Sequence, residues 1–404
     1  MLQALRVRDF RLLWGARLVS SLGSWLLVIA VPAHVFAMTG SLSATGLTVA
    51  AEYLPSVILG PFAGVVADRG DRRRLMVGAD LFRAVAVASM LAAQTPGTVW
   101  IVYLALVAES AGTGLFRPAA QAHTPVVVGT GPRLSSANSL NAFADGTVRL
   151  VGGPVGAVLM VIAGFNLLVL VDSASYLASA AAIMMTRLHG QPRGQRTTIR
   201  DLMSDLTEGW SALRSERFVR ALLPITVVLL LADAALSALL VPYGLRYLGG
   251  SQALGVLMSA LGVGFLLGAP LSRLLVDRCR PQYVLSVSLA VTAIGFYLLF
   301  HSGLVFASLA AAGIGTAGSV ALTTPTVWMQ RILPNAVLGR ICAIFFACEA
   351  TTSFAGALLG PAFAQTSGLS AVATGASVAT LIAAAVCLRL PQARSGAAIS
   401  AGNG

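Results

Sequence analysis

The chain has 404 residues, of which 57% are hydrophobic and only 10% charged, with a formal net charge of +12. No water-soluble domain of that size covers so much apolar surface, so the composition excludes a soluble enzyme and calls for a bilayer. All 27 basic residues are Arg, which excludes a P-loop nucleotide site, because its Gly-rich cradle needs a Lys to reach the phosphates.

A spanning helix takes about 20 mainly apolar residues, and in chain order the sequence predicts twelve of them: 12–37, 43–67, 74–94, 98–120, 136–162, 166–186, 219–245, 252–276, 281–300, 304–328, 339–364 and 370–390. The first follows Arg6, Arg8 and Arg11, is too long for the apolar core of a signal peptide, and reads as a retained helix. The organisation expected is a six-helix bundle over 1–187, a linker over 188–218, a second six-helix bundle over 219–390 and a tail over 391–404. In the linker, Leu202, Leu206, Trp210 and Leu213 recur every three or four residues among charges, the pattern of an amphipathic helix on the membrane surface or against the bundle.

The arginines orient the chain. With both termini inside, 23 of the 27 fall at cytoplasmic ends or loops, Arg246 falls outside, and Arg17, Arg83 and Arg149 lie within helices. The positive-inside rule then predicts cytoplasmic termini, and the basic charge answers to a membrane rather than to nucleic acid. The cysteines Cys279, Cys342, Cys348 and Cys387 show no CxxC spacing and the four histidines no ligand spacing, so neither a metal site nor an organic cofactor is expected.

The two halves repeat. Pro61 precedes Asp68-Arg69, and Pro270 precedes Asp277-Arg278, by the same seven residues; Gly153-Pro154 is matched by Gly360-Pro361, and Pro118 by Pro325. Two six-helix repeats are the arrangement in which substrate binds between parts that rock.

Ionisable residues inside spanning helices are functional candidates by default. Asp80 and Arg83 are three apart, and Asp145 and Arg149 four apart, so each pair is able to neutralise itself on one helix face. Arg17 stands at a height where Asp145 or Glu349 is also a partner. Glu52, Glu109, Asp172, Asp233 and Glu349 have no basic neighbour in sequence.

The stretch Gly64-x-x-x-Asp68-Arg69-x-x-Arg72-Arg73-Arg74 resembles the signature loop of the major facilitator superfamily, with Asp71 where that loop usually has Gly. Asp71, followed by Asp80 and Arg83, is similar to a branch of drug and siderophore exporters that includes macrolide effluxers. So are Phe10-Arg-Leu-Leu-Trp14 with Ser21-Leu-Gly-Ser-Trp25, Phe116-Arg-Pro-Ala-Ala120 with Ala137-Asn-Ser-Leu140, and Asp205-Leu-Thr-Glu-Gly-Trp210.

The resemblance implies an all-α membrane fold and alternating access. It implies a conformational latch built from Gly64, Asp68, Arg69, Arg72 and Arg73, echoed by Asp277 and Arg278, and a charge network of Arg17, Asp80, Arg83, Arg117, Asp145 and Arg149. Because helices 1, 4, 7 and 10 line the cavity of such proteins, Glu109 and Asp233 lead the proton-coupling candidates, ahead of Glu52 and Glu349. Trp14, Trp25, Phe116, Tyr243 and Trp328 are candidates for the substrate surface. Gly152, Gly153, Pro154 and Gly156 resemble part of the antiporters' helix-5 pattern, with Arg149 where an earlier Gly is expected. The function implied is proton-driven export of an amphiphilic drug or siderophore by a monomer in a bacterial inner membrane. An importer of a metabolite or sugar and a transport-inactive scaffold are the alternatives.

Overall fold

The computed structural model describes residues 3–69, 71–129, 132–186, 210–211, 213–214, 216–333 and 335–391. The predicted latch residues Gly64, Asp68 and Arg69 have their backbone in a helix, and their side chains lie outside what is described, as does that of Arg149. Most of the predicted linker helix also lies outside the described residues.

The described chain is helical almost throughout. The first helices are α1 (Arg8–Thr39), α2 (Leu42–Arg69), α3 (Arg72–Ser89) and α4 (Trp100–Val128). Helix α1 stops at Gly40, whose φ of 63° is a left-handed cap that a β-carbon would disfavour. Asp71 is the N-cap of α3: its Oδ1 accepts from the backbone N–H of Arg73 at 2.9 Å. That capping bond is a local reason for an Asp where the superfamily loop usually has Gly.

Pro132–Met184 is helical on both sides of Gly164, which has φ 75° and ψ 172° and breaks the run into α5 (132–163) and α6 (165–184). A straight 53-residue helix would reach about 80 Å. Instead, contacts with α1 show the chain reversing. Along α5 they ascend in step with α1, from Trp14–Leu140 to Arg17–Asp145 to Leu26–Gly156. Along α6 they run in the opposite sense, from His34–Phe165 to Ser24–Tyr176. The remaining helices are α7 (Arg217–Tyr247), α8 (Ser251–Arg278), α9 (Pro281–His301), α10 (Leu304–Ile332), α11 (Asn335–Ser367) and α12 (Leu369–Cys387). The twelve predicted spans are thus twelve helices, an all-α membrane fold in two six-helix repeats.

The chain divides into two compact units, Met1–Thr198 with Gly244–Gly255, and Ile199–Tyr243 with Val256–Gly404. In the first, α1 packs along α5, α2 along α4, and α3 against α4 and α6. In the second, α7 packs along α11, α8 along α10, and α9 against α10 and α12. Every pairing recurs six helices later.

The close crossings follow from glycine. A β-carbon added at Gly156 would run into the Leu26 backbone of α1, and one at Gly360 into the Ala235 backbone of α7. Without a hydrophobic drive between helices in lipid, such small-residue contacts are what hold spans together. The helix-5 pattern read in the sequence is therefore a packing surface: Gly152 meets Trp25 and Gly156 meets Leu26, while Gly153 is buried and Pro154 partly so.

Candidate functional site

Four helices of the first unit converge on a buried polar network. On α3, Asp80 has no exposed surface and Arg83 is 5% exposed, and the two form an ion pair three residues apart. The other carboxylate oxygen of Asp80 accepts from Ser179 of α6 at 2.6 Å. Arg83 donates to Thr113 of α4 at 3.1 Å, and Thr113 in turn donates to Glu109 at 2.9 Å. Tyr176 of α6 donates to the same Glu109 oxygen at 2.6 Å and meets Ser24 of α1 at 2.7 Å. The Arg83 guanidinium sits over the rings of Tyr176 and Phe116, 4.4 and 4.6 Å from their centres, so aromatic rings cover it while its two terminal nitrogens are bonded.

Two more acids stand within electrostatic reach of Glu109: Glu52 on α2 and Asp172 on α6. Asp172 is 1% exposed, accepts from Ser175 at 3.2 Å, and fits only because Gly23 on α1 leaves room where a β-carbon would strike its carboxylate. The backbone carbonyl of Glu52 accepts from Ser110 of α4 at 2.5 Å, which fixes α2 against α4 beside the network. Among the described residues the cluster therefore holds four carboxyl groups, those of Glu52, Asp80, Glu109 and Asp172, and one guanidinium, that of Arg83. Its chemistry suits taking up and releasing protons, since an uncompensated carboxylate in the membrane interior is costly and protonation removes that cost.

The other predicted residues disperse. Asp145 pairs with Arg17 across α1 and α5 through two bonds of 2.7 and 2.9 Å, which selects one of the two partners open to Arg17 in the sequence. Arg117 is exposed. Arg73 reaches the last carbonyls of α6, donating to Ile183 at 3.3 Å and to Met184, and Arg72 is buried at the start of α3. In the second unit Asp277 pairs with Arg331 of α10, and Arg278 ends α8 exposed. Asp233 is exposed on α7. Glu349 borders a cavity of about 180 Å³ among Leu222, Leu229, Leu289, Met329 and Phe345. Tyr243 packs on Phe300 with ring centres 4.7 Å apart, and Trp328 packs near Phe218 at 6.4 Å. Trp14 donates its indole N–H to Leu140 O at 3.4 Å, and Phe116 is buried beneath Arg83.

The sequence reading found the acids and missed their partners Thr113, Tyr176, Ser179 and Ser24. A signal existed: Asp172, Ser175/Tyr176 and Ser179 recur at helical spacing in an otherwise apolar run, as do Glu109 and Thr113.

Comparison with known proteins bears on the whole chain. A family model described as "Transmembrane secretion effector" matches residues 1–402. Macrolide efflux protein A of Streptococcus pyogenes is 24% identical over 373 residues, covering 89% of this chain and 90% of that protein. Multidrug efflux pump Tap of Mycolicibacterium fortuitum is 25% identical over 394 residues, 94% of this chain and 95% of its own. Among solved structures, a nucleoside transporter, NupG, superposes with a TM-score of 0.75 at 13% identity, covering 96% of this chain and 99% of that one. A D-xylose-proton symporter gives 0.70 at 17% identity, covering 97% and 98%. The structural likenesses speak for the fold, and with the full-length family match they carry one conclusion: the chain belongs to the Transmembrane secretion effector family of the major facilitator superfamily of membrane transporters.

Proposed function

We propose that this transporter exports amphiphilic small molecules in exchange for protons, moving between inward- and outward-facing states in a bacterial inner membrane with both termini cytoplasmic. The direction and substrate class rest on likeness to a macrolide efflux protein and a multidrug efflux pump. Proton coupling rests on one observation: Glu109, on a spanning helix, accepts hydrogen bonds from Tyr176 and Thr113 inside a cluster that holds more acids than bases. A carboxylate so placed is stabilised by its two donors, and a proton arriving from outside neutralises it at the oxygen where Tyr176 donates. That bond then reorganises, and opening to the cytoplasm returns the proton to water. In this scheme Arg83 stays charged and holds the network's geometry. The charged junction of α2 and α3, with Asp68 in the last turn of α2, latches one of the two states, and the protein works as a monomer without a cofactor other than the proton gradient.

The test uses inverted membrane vesicles with an imposed pH gradient. Wild-type uptake of a macrolide is expected to rise with the gradient, whereas Glu109→Gln is expected to bind the drug yet give the same rate with and without it. Gradient-dependent uptake by Glu109→Gln sinks the coupling assignment. Uptake into right-side-out rather than inverted vesicles makes the protein an importer.

A further inference from the structure

Three of the stretches singled out in the sequence, Phe10 to Trp14, Phe116 to Ala120 and Ala137 to Leu140, sit on three different helices and meet around one cavity of the first unit. It measures about 80 Å³, and Phe116 lines it while Glu109 does not. Trp14 and Phe116 form aromatic walls, and Trp14 is fixed by its bond to Leu140. Gln121 of α4 and Asn138 and Asn141 of α5 supply three carboxamides, the first two exposed and the third partly buried, and none makes a hydrogen bond among the described residues. Among the described residues of the wall Arg17 is the only charged group, and its charge is met by Asp145 at 2.7 Å.

Carboxamides on spanning helices ordinarily bond across to a neighbouring helix and hold it. Here three of them leave donors and acceptors open toward a single space. Among the described residues no helix contact uses them, which leaves them free to meet a ligand that enters from the open side of the cavity. The wall carries no net charge, which gives no preference to an ion. Each carboxamide both donates and accepts, which matches a hydroxyl group, and the aromatic walls match the apolar face of a ring. One water needs about 10–15 Å³ of such cavity space, so the cavity takes a few waters or the edge of a larger molecule rather than all of it. We propose that this cavity is a recognition subsite for one uncharged, hydroxyl-bearing edge of the exported molecule. The proposal rests on the export reading for its ligand and adds to it the chemistry of one contact.

The test is binding to protein in lipid nanodiscs, read from Trp14 as the sole tryptophan after Trp25, Trp100, Trp210 and Trp328 are changed to Phe. The probes are a polyhydroxylated macrolactone and its peracetylated form, which keeps the ring and loses the hydroxyl donors. The parent compound is expected to give a saturable change in Trp14 fluorescence at concentrations at least about tenfold lower than the acetylated one. Asn141→Leu and Gln121→Leu are each expected to weaken the parent by about two- to tenfold, the range for one or two neutral hydrogen bonds, and to leave the acetylated compound unchanged. Equal affinity for the two compounds, indifference to both substitutions, or no saturable response from either compound overturns the subsite and leaves a water-filled crevice. The two readings fail separately. Binding of this kind without uptake into inverted vesicles removes the export reading alone, and export with an unchanged KM in Asn141→Leu removes the subsite alone.

Discussion

The two units share a helix-pairing scheme and differ in what they enclose. In the first, α3, α4 and α6 surround Asp80, Arg83, Glu109 and Tyr176, bonded to one another across three helices. In the second, α7, α9, α10 and α11 surround an apolar cavity, its acids Asp233 and Glu349 are exposed, and its clearest ion pair, Asp277–Arg331, is about half exposed on both sides. The scheme is fixed by glycines where helices cross, at Gly156 of α5 against α1 and Gly360 of α11 against α7, and those crossings say nothing about charge. A repeated scaffold can thus bury a bonded ionic network in one half and leave the acids of the other exposed. The bonded ionic network and the apolar cavity then occupy separate units.

The strongest test of that contrast is the buried pair. Arg83→Leu strands Asp80 without its guanidinium, and removing one partner of a buried pair costs about 3–5 kcal/mol. A large loss of folded protein is expected in a thermal assay of the detergent-purified variant, with much of it recovered in the double variant Asp80→Leu/Arg83→Leu. A harmless Arg83→Leu would break the claim that the first unit is built around its charges. Tyr176→Phe is expected to do less. It keeps the ring under Arg83 and removes only the hydroxyl that joins Glu109 to Ser24, a cost of about 1–3 kcal/mol for partners left unsatisfied. Its sharper signature is a shifted pH dependence of export with expression intact; an unshifted profile would make Tyr176 a packing residue. The smallest effect belongs to the second unit, where Asp277→Asn breaks an exposed pair worth under about 1 kcal/mol. A loss there comparable with Arg83→Leu would erase the difference between the halves.

Much of the fold was legible because a span of about 20 apolar residues leaves few alternatives in a bilayer. Ends were less so. The fourth span was expected to close at 120, yet α4 continues through Gln121, His123 and Pro125 to a glycine stop at Gly129. Hydropathy falls there while the backbone still has hydrogen bonds to make. Within the site, Glu109 and Asp172 stood out because a carboxylate in an apolar run is anomalous wherever it points. Thr113 and Tyr176 did not, because hydroxyls in such helices commonly bond their own backbone, as Thr124 does to Ala120 and Thr226 to Leu222. Sequence cannot tell a hydroxyl that turns inward on its helix from one that reaches across. Nor does spacing fix partners: Asp145 had candidates in Arg149, four residues on, and in Arg17, 128 residues away in sequence, and among the described side chains it pairs with Arg17.

The reversal at Gly164 has a mechanical meaning. A single left-handed glycine joins α5 to α6 without slack, and α1 is held by both, through Gly156 on one side and the His34–Phe165 stack, 3.9 Å between ring centres, on the other. The turn therefore acts as a gauge that sets the height of α6. One residue inserted after it would raise Tyr176 by about 1.5 Å and rotate it by more than a quarter turn, carrying its hydroxyl away from Glu109. A glycine with nothing around it thus determines whether a tyrosine twelve residues further along the chain meets its acid.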